Sequence, residues 1–401
     1  MKIQLNGVNS SRIFMGQLIA GFLSVISVSL TAIYVGPKIF GFCSILILIC
    51  NVFMSVADYG GCSWAARELA SKNIDAASYI FVMKSKGRLN LIFLLALPFL
   101  FLLLPLELKW SCLLSFYPYL WVRYNYLQQF LICTGRNRES ILLVIGDRAS
   151  WFLILPLMHF NVSRDLAFVI PILAGLVLHS YLGMRLLPIS KKLKLRDSNL
   201  TALNIFSKSR HFGMIGFSAG ISNLDGFAVG VTSTLESSGS YVLAQRFRNP
   251  LTIVFNAIAI RIKPVAALRD RKKIISELKA DLYLILTGIV SVLLGSLLAF
   301  FYSGDIFGPE YIGIEKILAI GILTSLPYGF VLIATGLLTS IGNEMYVSRA
   351  NWFYAASLMF NVIFGVQYLG TLGGVVGSCL TISVYSLIVC VKLKKELGNL
   401  L

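Results

Sequence analysis

Four arginines lie well inside otherwise apolar stretches of this 401-residue chain, away from the stretch ends: Arg123, Arg148, Arg246 and Arg248. Insertion scales put an arginine at the centre of a membrane span at about 2.5–3.5 kcal/mol, so four cost about 10–14 kcal/mol before compensation. Each must therefore face a hydrated cavity or a partner. Arg123 has Tyr119 one turn before it and Tyr126 one turn after, both on its helical face, in a stretch that also holds Trp121, Asn125, Gln128 and Gln129. A guanidinium forks a diphosphate bidentately and aromatic faces stack on sugar rings, so this span suits an anionic glycan. The other reading of Arg123 is an inter-helix ion pair with Asp147, Asp58 or Asp225. Arg246 and Arg248 point about 200° apart on a helix and cannot share a face. Arg246 aligns with Asn249 and Asn256, Arg248 with Tyr241, Gln245 and Thr252. Both stripes are polar, and periodicity does not choose between them; Arg248 has the alternative of snorkelling to headgroups.

The acids near these arginines are few. Asp225 is alone near the centre of its stretch, either paired with an arginine or serving as a proton or Na⁺ site. Asp147 and Arg148 are adjacent at one end of theirs, most simply an interfacial pair, with Arg148 also placed to dock an anion on entry. Asp58 and Arg67 end the second stretch, where local structure or gating explains them. Among the seven cysteines no CxxC or Cys/His spacing suits a metal, and no pair in exposed loops implies a disulfide. No cofactor is expected beyond coupling to a proton or Na⁺ gradient.

These residues must be held by twelve apolar stretches: 13–35, 40–62, 89–106, 110–134, 141–160, 166–187, 212–233, 241–262, 282–302, 313–336, 351–370 and 375–391. Most are about 20 residues long, enough to cross a hydrocarbon core of about 30 Å as helix. With 57% hydrophobic residues and a mean hydropathy of +0.80, a water-soluble fold is excluded. Of the 35 Lys and Arg, only Lys38, Lys109 and Arg164 fall in the odd-to-even gaps, with Lys316 just inside the stretch that follows one. That bias orients both termini to the cytoplasm. The net charge of +17 thereby belongs to topology and headgroups, and nucleic acid is not an expected partner. The first stretch is too long for a cleaved signal and reads as a span.

The expected architecture is an all-α polytopic membrane protein: an N-terminal six-helix bundle (1–190), a basic cytoplasmic linker (191–211) and a C-terminal six-helix bundle (212–401). A single offset superposes Phe42 on Tyr241, Ala66 on Val265 and Lys72 on Arg271. An even number of helices per half makes this a parallel repeat about a pseudo-twofold along the membrane normal.

The run Tyr34-Val35-Gly36-Pro37-x-x-Phe40-Gly41-Phe42, with Ala57-Asp58-Tyr59-Gly60 and Ala65-Ala66-Arg67-Glu68 after it, resembles the opening of polysaccharide transporters. These belong to the multidrug/oligosaccharidyl-lipid/polysaccharide exporter superfamily, and the match is to the Wzx-type O-antigen flippase. Ser238-Gly239-x-Tyr241-x-x-Ala244-x-Arg246-Phe247, with Pro264 following, is similar to that family's helix 7–8 hairpin. The resemblance implies a V-shaped pair of bundles around a cavity that opens alternately to either side of a bacterial inner membrane. Its cargo would be a polyprenyl-diphosphate-linked oligosaccharide, an O-antigen or related repeat unit, with Arg246 lining a cationic cavity. Membrane lipids surround it, and a polysaccharide polymerase and glycosyltransferases are its expected partners. One departure is that the first span carries no basic residue after Arg12, where some relatives place arginine.

Two rivals are set against this. A cation-coupled multidrug exporter of the same superfamily would prefer an acidic cavity, against which Arg123 and Arg246 argue. A membrane-embedded glycan polymerase or acyltransferase needs a large external loop or a histidine base, and His159, His179 and His211 are scattered without a partner motif. The substrate-binding candidates are thus Arg123, Arg246, Arg248, Tyr119, Tyr126 and Asn249; the coupling candidate is Asp225; the entry candidates are Asp147, Arg148 and Arg67.

Overall fold

A segment surrounded by hydrocarbon must satisfy its own backbone donors and acceptors, which leaves the helix as the element for these apolar stretches. The computed structural model describes residues 10–70, 73–87, 106–186, 202–267 and 269–399, and every regular element among them is helical. Eight helices among the described residues are long and apolar enough to cross a membrane. The third expected stretch, 89–106, falls outside the described residues except for Leu106.

In chain order the helices are α1 (Ser10–Val35), α2 (Pro37–Asp58), α3 (Gly61–Ala70), α4 (described over 76–87), α5 (Tyr117–Cys133) and α6 (Asn137–Ser150). Then come α7 (Ile154–His159), α8 (Arg164–Leu186), α9 (Ala202–Ser222), α10 (Asp225–Thr232), α11 (Leu235–Leu251) and α12 (Ile253–Ala267). The last are α13 (Arg271–Ala280), α14 (Leu282–Phe307), α15 (Ile314–Leu323), α16 (Ser325–Ser340) and α17 (Glu344–Asn399). A 3₁₀ stretch, Leu106–Phe116, leads into α5.

The exposed side of α14 shows what solvent this chain expects. Leu282, Leu286, Val290, Leu293, Leu297 and Phe301 recur at helical spacing and are each about half exposed or more. Gly288, Val292, Ser296 and Ser303 point inward. Small and polar inside with large and apolar outside inverts a water-soluble helix, and lipid is the medium that tolerates it. The fold is that of an all-α polytopic membrane protein.

Several expected spans are interrupted. The second breaks at Tyr59 and Gly60, both with positive φ (41° and 70°), between α2 and α3. The seventh breaks between α9 and α10, immediately before Asp225. The eighth is interrupted at Thr252: Pro250 has no N–H to give the Arg246 carbonyl, and Thr252 N–H is shared between the Arg248 and Asn249 carbonyls. The tenth divides between α15 and α16, whose first turn holds Pro327. The last two are separate helices that follow each other directly and reverse at Gly370, whose φ of 60° is not helical. α9 also starts earlier than the expected linker end, since Ile205 enters the core and Phe206 stacks on Tyr59 at 4.4 Å.

The chain forms two compact units that differ from a simple halving. Unit 1 comprises Met1–Arg12 and Leu46–Asn223, and unit 2 comprises Ile13–Ile45 and Leu224–Leu401. In unit 1, α8 packs on α5 and α6, while α3 packs on α9 and α5. Its core gathers Trp64, Leu69, Tyr79, Val82, Tyr126, Leu127, Phe130 and Ile205. In unit 2, α14 lies on α15, α11 on α15, α12 on α16, and α10 on both α11 and α17.

Within unit 2 the start of α2 meets α11 backbone to backbone. A methyl group on Gly41 would stand 2.1 Å from the Leu235 carbonyl oxygen and 2.7 Å from Gly239 N. One on Gly239 would stand 2.1 Å from the Pro37 carbonyl oxygen. Each glycine is there because the other helix leaves no room for a side chain. Gly41→Ala or Gly239→Ala is therefore expected to cost at least about 1–3 kcal/mol, the usual penalty for overpacking. Gly146→Ala serves as control, since nothing lies within 4 Å of its new methyl. Thermal unfolding of the detergent-purified protein should fall for the first two variants and hold for the third; equal midpoints for all would refute the contact.

Candidate functional site

The polar side chains of unit 2 collect where two helices are broken. Asp225 opens α10 and is buried, 3% exposed. Its Oδ1 accepts from Gly226 N–H at 2.8 Å; its Oδ2 accepts from the Tyr241 hydroxyl at 2.8 Å and from the Gln245 amide. Placed in the first turn of a helix, the carboxylate also meets the positive end of the α10 dipole. Tyr241, Gln245 and Arg248 lie along one stripe of α11, and the Arg248 charge acts on Asp225. The Arg248 guanidinium lies over the Tyr328 ring at 4.6 Å. Its Nε is buried with no hydrogen-bond partner among the described residues. A space of about 10 Å³ remains between Tyr241, Gln245, Arg248, Thr324 and Ser378, at the threshold for a single water.

Arg246 faces the other way. Its guanidinium lies 5.3 Å from the centroid of Phe40, and Nη2 reaches the Ser44 hydroxyl at 3.4 Å. Both partners sit on α2, beside Gly41. The two arginines of α11 are thus sorted by the 100° step between residues: Arg248 to the stripe of Tyr241 and Gln245 and to the Tyr328 ring, Arg246 to the aromatic and hydroxyl of α2. Asn249 is exposed.

In unit 1 the sequence candidates divide among four places. Arg123, half-buried on α5, donates to the Tyr119 hydroxyl at 3.3 Å. Tyr126 is 0% exposed and belongs to the packed core, edge-on to Tyr79 at 5.8 Å, so it does not line an open cavity with Arg123. Its hydroxyl, the Lys86 side chain and Asp58 converge: a methyl on Gly61 would stand 2.6, 2.9 and 3.4 Å from Tyr126 Oη, Lys86 Cε and Asp58 Oδ1. The Asp58 carboxylate accepts from Cys62 N–H at 3.2 Å, closing the break between α2 and α3. Beside it lies a cavity of about 230 Å³ lined by Met54, Ser55, Asp58, Asn125, Phe212 and Ile215, among others.

Asp147 is buried and pairs with Arg148 at 3.6 Å. Gly175 of α8 passes so close to α6 that an added methyl would meet Ser150 Oγ at 2.3 Å and Asp147 Oδ1 at 3.1 Å. One turn further along α8, buried His179 sits edge-on to Tyr124 at 4.5 Å and feels the Asp147 charge. Arg67 is exposed over half its side chain, next to Glu68 at 4.0 Å and 5.7 Å from the Phe212 ring.

The sequence analysis did not single out Lys86, and it set His179 aside for want of a partner motif. Lys86 reads as one of several loop lysines, and its burial depends on α4 packing against α5. His179 has no motif partner along the chain; Asp147 reaches it only across the α6–α8 contact. No group of three metal-ligating side chains occurs among the described residues.

No protein-family profile matches this chain, and no curated protein matches it. Solved structures do. An outward-facing multidrug resistance MATE family transporter of the MOP superfamily aligns over 98% of this chain and 96% of its own, with a TM-score of 0.72 and 14% identity. An inward-facing multidrug resistance MATE family transporter aligns over 99% and 97%, with a TM-score of 0.63 and 15% identity. A MATE in complex with MaD3S aligns over 98% and 99%, with a TM-score of 0.68 and 13% identity. The chain has the fold of these transporters, twelve helices in two bundles.

Proposed function

We propose that this protein is a secondary transporter that exports an amphiphilic solute by alternating access. The observation that carries the proposal is the likeness, over nearly the whole chain, to both outward-facing and inward-facing transporters of one fold. A protein whose near-complete fold supports two opposite openings is suited to expose one site to each side in turn.

Two cargo classes arise from different observations. The structural neighbours favour a cation-coupled multidrug exporter, since those of known direction are named as multidrug resistance transporters. The arginines favour an anionic, lipid-linked glycan as the second reading. Arg123 beside Tyr119 and Arg246 over Phe40 each combine a guanidinium with an aromatic ring, as a sugar diphosphate requires. Asp225, the acid that would attract a cationic drug in unit 2, is already engaged by Tyr241, Gln245 and the Gly226 amide.

Deletion of the gene in its own host separates the two. If the cargo is a drug, surface polysaccharide stays normal and sensitivity to lipophilic cations rises. For a glycan carrier, complete polyprenyl-diphosphate-linked units accumulate inside and surface polysaccharide is lost. Arg123→Ala and Arg246→Ala then reproduce that loss at normal protein level; full export by both variants would refute the anionic reading.

In either case Asp225 is the residue we assign to coupling with a proton or Na⁺ gradient. A carboxylate held by a tyrosine, an amide and a helix N-terminus, with Arg248 within reach of its field, changes its ion occupancy when those neighbours shift. Asp225→Asn keeps the shape and removes the exchangeable charge. Gradient-driven transport in proteoliposomes is expected to fall at least about tenfold, the effect of losing roughly one pKa unit's worth of driving interaction or more. Unchanged dependence on the gradient in a folded variant would reassign Asp225 to a structural role.

A further inference from the structure

The short helix α13 lies between two longer ones, α12 and α14, and its charges are segregated. Asp270 caps it, accepting from Lys273 N–H at 3.1 Å, and Ile274 anchors it at 0% exposure. The remaining acids of the segment are taken up by one residue of α12. Arg261 Nη1 meets Glu277 Oε2 at 3.0 Å, its Nη2 donates to the Glu277 carbonyl at 3.2 Å, and its guanidinium also pairs with buried Asp281. The cations are left outside: Arg271, Lys272, Lys273 and Lys279 are all exposed, and among the described residues no carboxylate pairs with them.

The start of α14 marks their depth. Lys279 is one helical turn before Tyr283, which is 78% exposed in the first turn of that helix. Leu286, Val290 and Leu293 continue the same face as the lipid-exposed stripe. An exposed tyrosine directly above an apolar stripe sits at the membrane–water interface. The lysines and arginine of α13 therefore stand at headgroup level, where their acids have been withdrawn to Arg261.

We propose that α13 is a docking surface for the headgroups of anionic phospholipids, seated against the bilayer by Arg261. Uncompensated cations at headgroup depth attract phosphate diesters bearing a net negative charge, and the attraction is screened by salt. The occupant is the lipid of that leaflet, because the cationic face is continuous with a surface that must itself be covered by acyl chains. Arg261 joins this seat to α12, which continues through Thr252 into the helix carrying Arg246 and Arg248.

The test is amide exchange of the full-length protein in nanodiscs of phosphatidylcholine alone and of phosphatidylcholine with phosphatidylglycerol. Exchange across 271–280 is expected to slow by about threefold or more with the anionic lipid, and the difference to shrink in high salt. The Lys272→Gln, Lys273→Gln, Lys279→Gln variant should lose the difference, while Lys316→Gln, elsewhere in the chain, keeps it. Equal exchange of the wild-type protein in both bilayers would overturn the proposal without reliance on any variant. So would protection by an added acidic peptide in neutral nanodiscs with no effect of phosphatidylglycerol, which would assign the surface to a protein partner.

Discussion

The close crossing of α2 and α11 at Gly41 and Gly239 is the constraint on which the polar features of unit 2 depend. Side chains at either position would hold the helices apart, because the obstacle is a backbone carbonyl and not a flexible side chain that could swing away. With the backbones in contact, Phe40 and Ser44 lie within reach of Arg246, and the next stripe of α11 is turned toward Asp225. The two sequence motifs that carry the resemblance to polysaccharide transporters, one from each half of the chain, are the surfaces of this single crossing. Their glycines are a packing requirement, and their arginine has its environment set by the packing.

The intramembrane charges are compensated in unlike ways. Asp225 receives neutral donors and a helix N-terminus, so its charge is spread over several modest interactions. Asp147 pairs with its chain neighbour Arg148 and lies near His179. Arg246 and Arg248 rest on aromatic faces, which attract a cation without neutralising it.

Much of the fold was legible because hydropathy and helical periodicity are local. The apolar stretches, the opposite faces of Arg246 and Arg248, and the shared stripe of Tyr241, Gln245 and Arg248 all derive from residue spacing. The helix breaks were less accessible. Nothing apolar stops at Asn223–Leu224; what marks the break is Asp225 reaching Tyr241 and Gln245 on another helix, a contact between residues 16 and 20 positions apart. The burial of Tyr126 was hidden for a related reason. Spacing placed it on the face of Arg123, but its partners Tyr79, Lys86 and Asp58 come from α4 and the end of α2. The same limit applies to the ends of α9, where Ile205 and Phe206 gain their apolar neighbours only in three dimensions.

The turn at Gly370 bears on what the bilayer accepts. The last two spans meet with no polar segment between them, and their backbones touch from Gly365 to Gly373 and from Asn361 to Gly377. Asn361 donates to Thr381 across the pair at 2.8 Å, so each limb supplies a partner for a polar group the other carries into the bilayer. A lone span with that asparagine would enter hydrocarbon unsatisfied. The two limbs therefore depend on one another for polar satisfaction, so the hairpin, not either helix alone, is the unit that hydrocarbon tolerates.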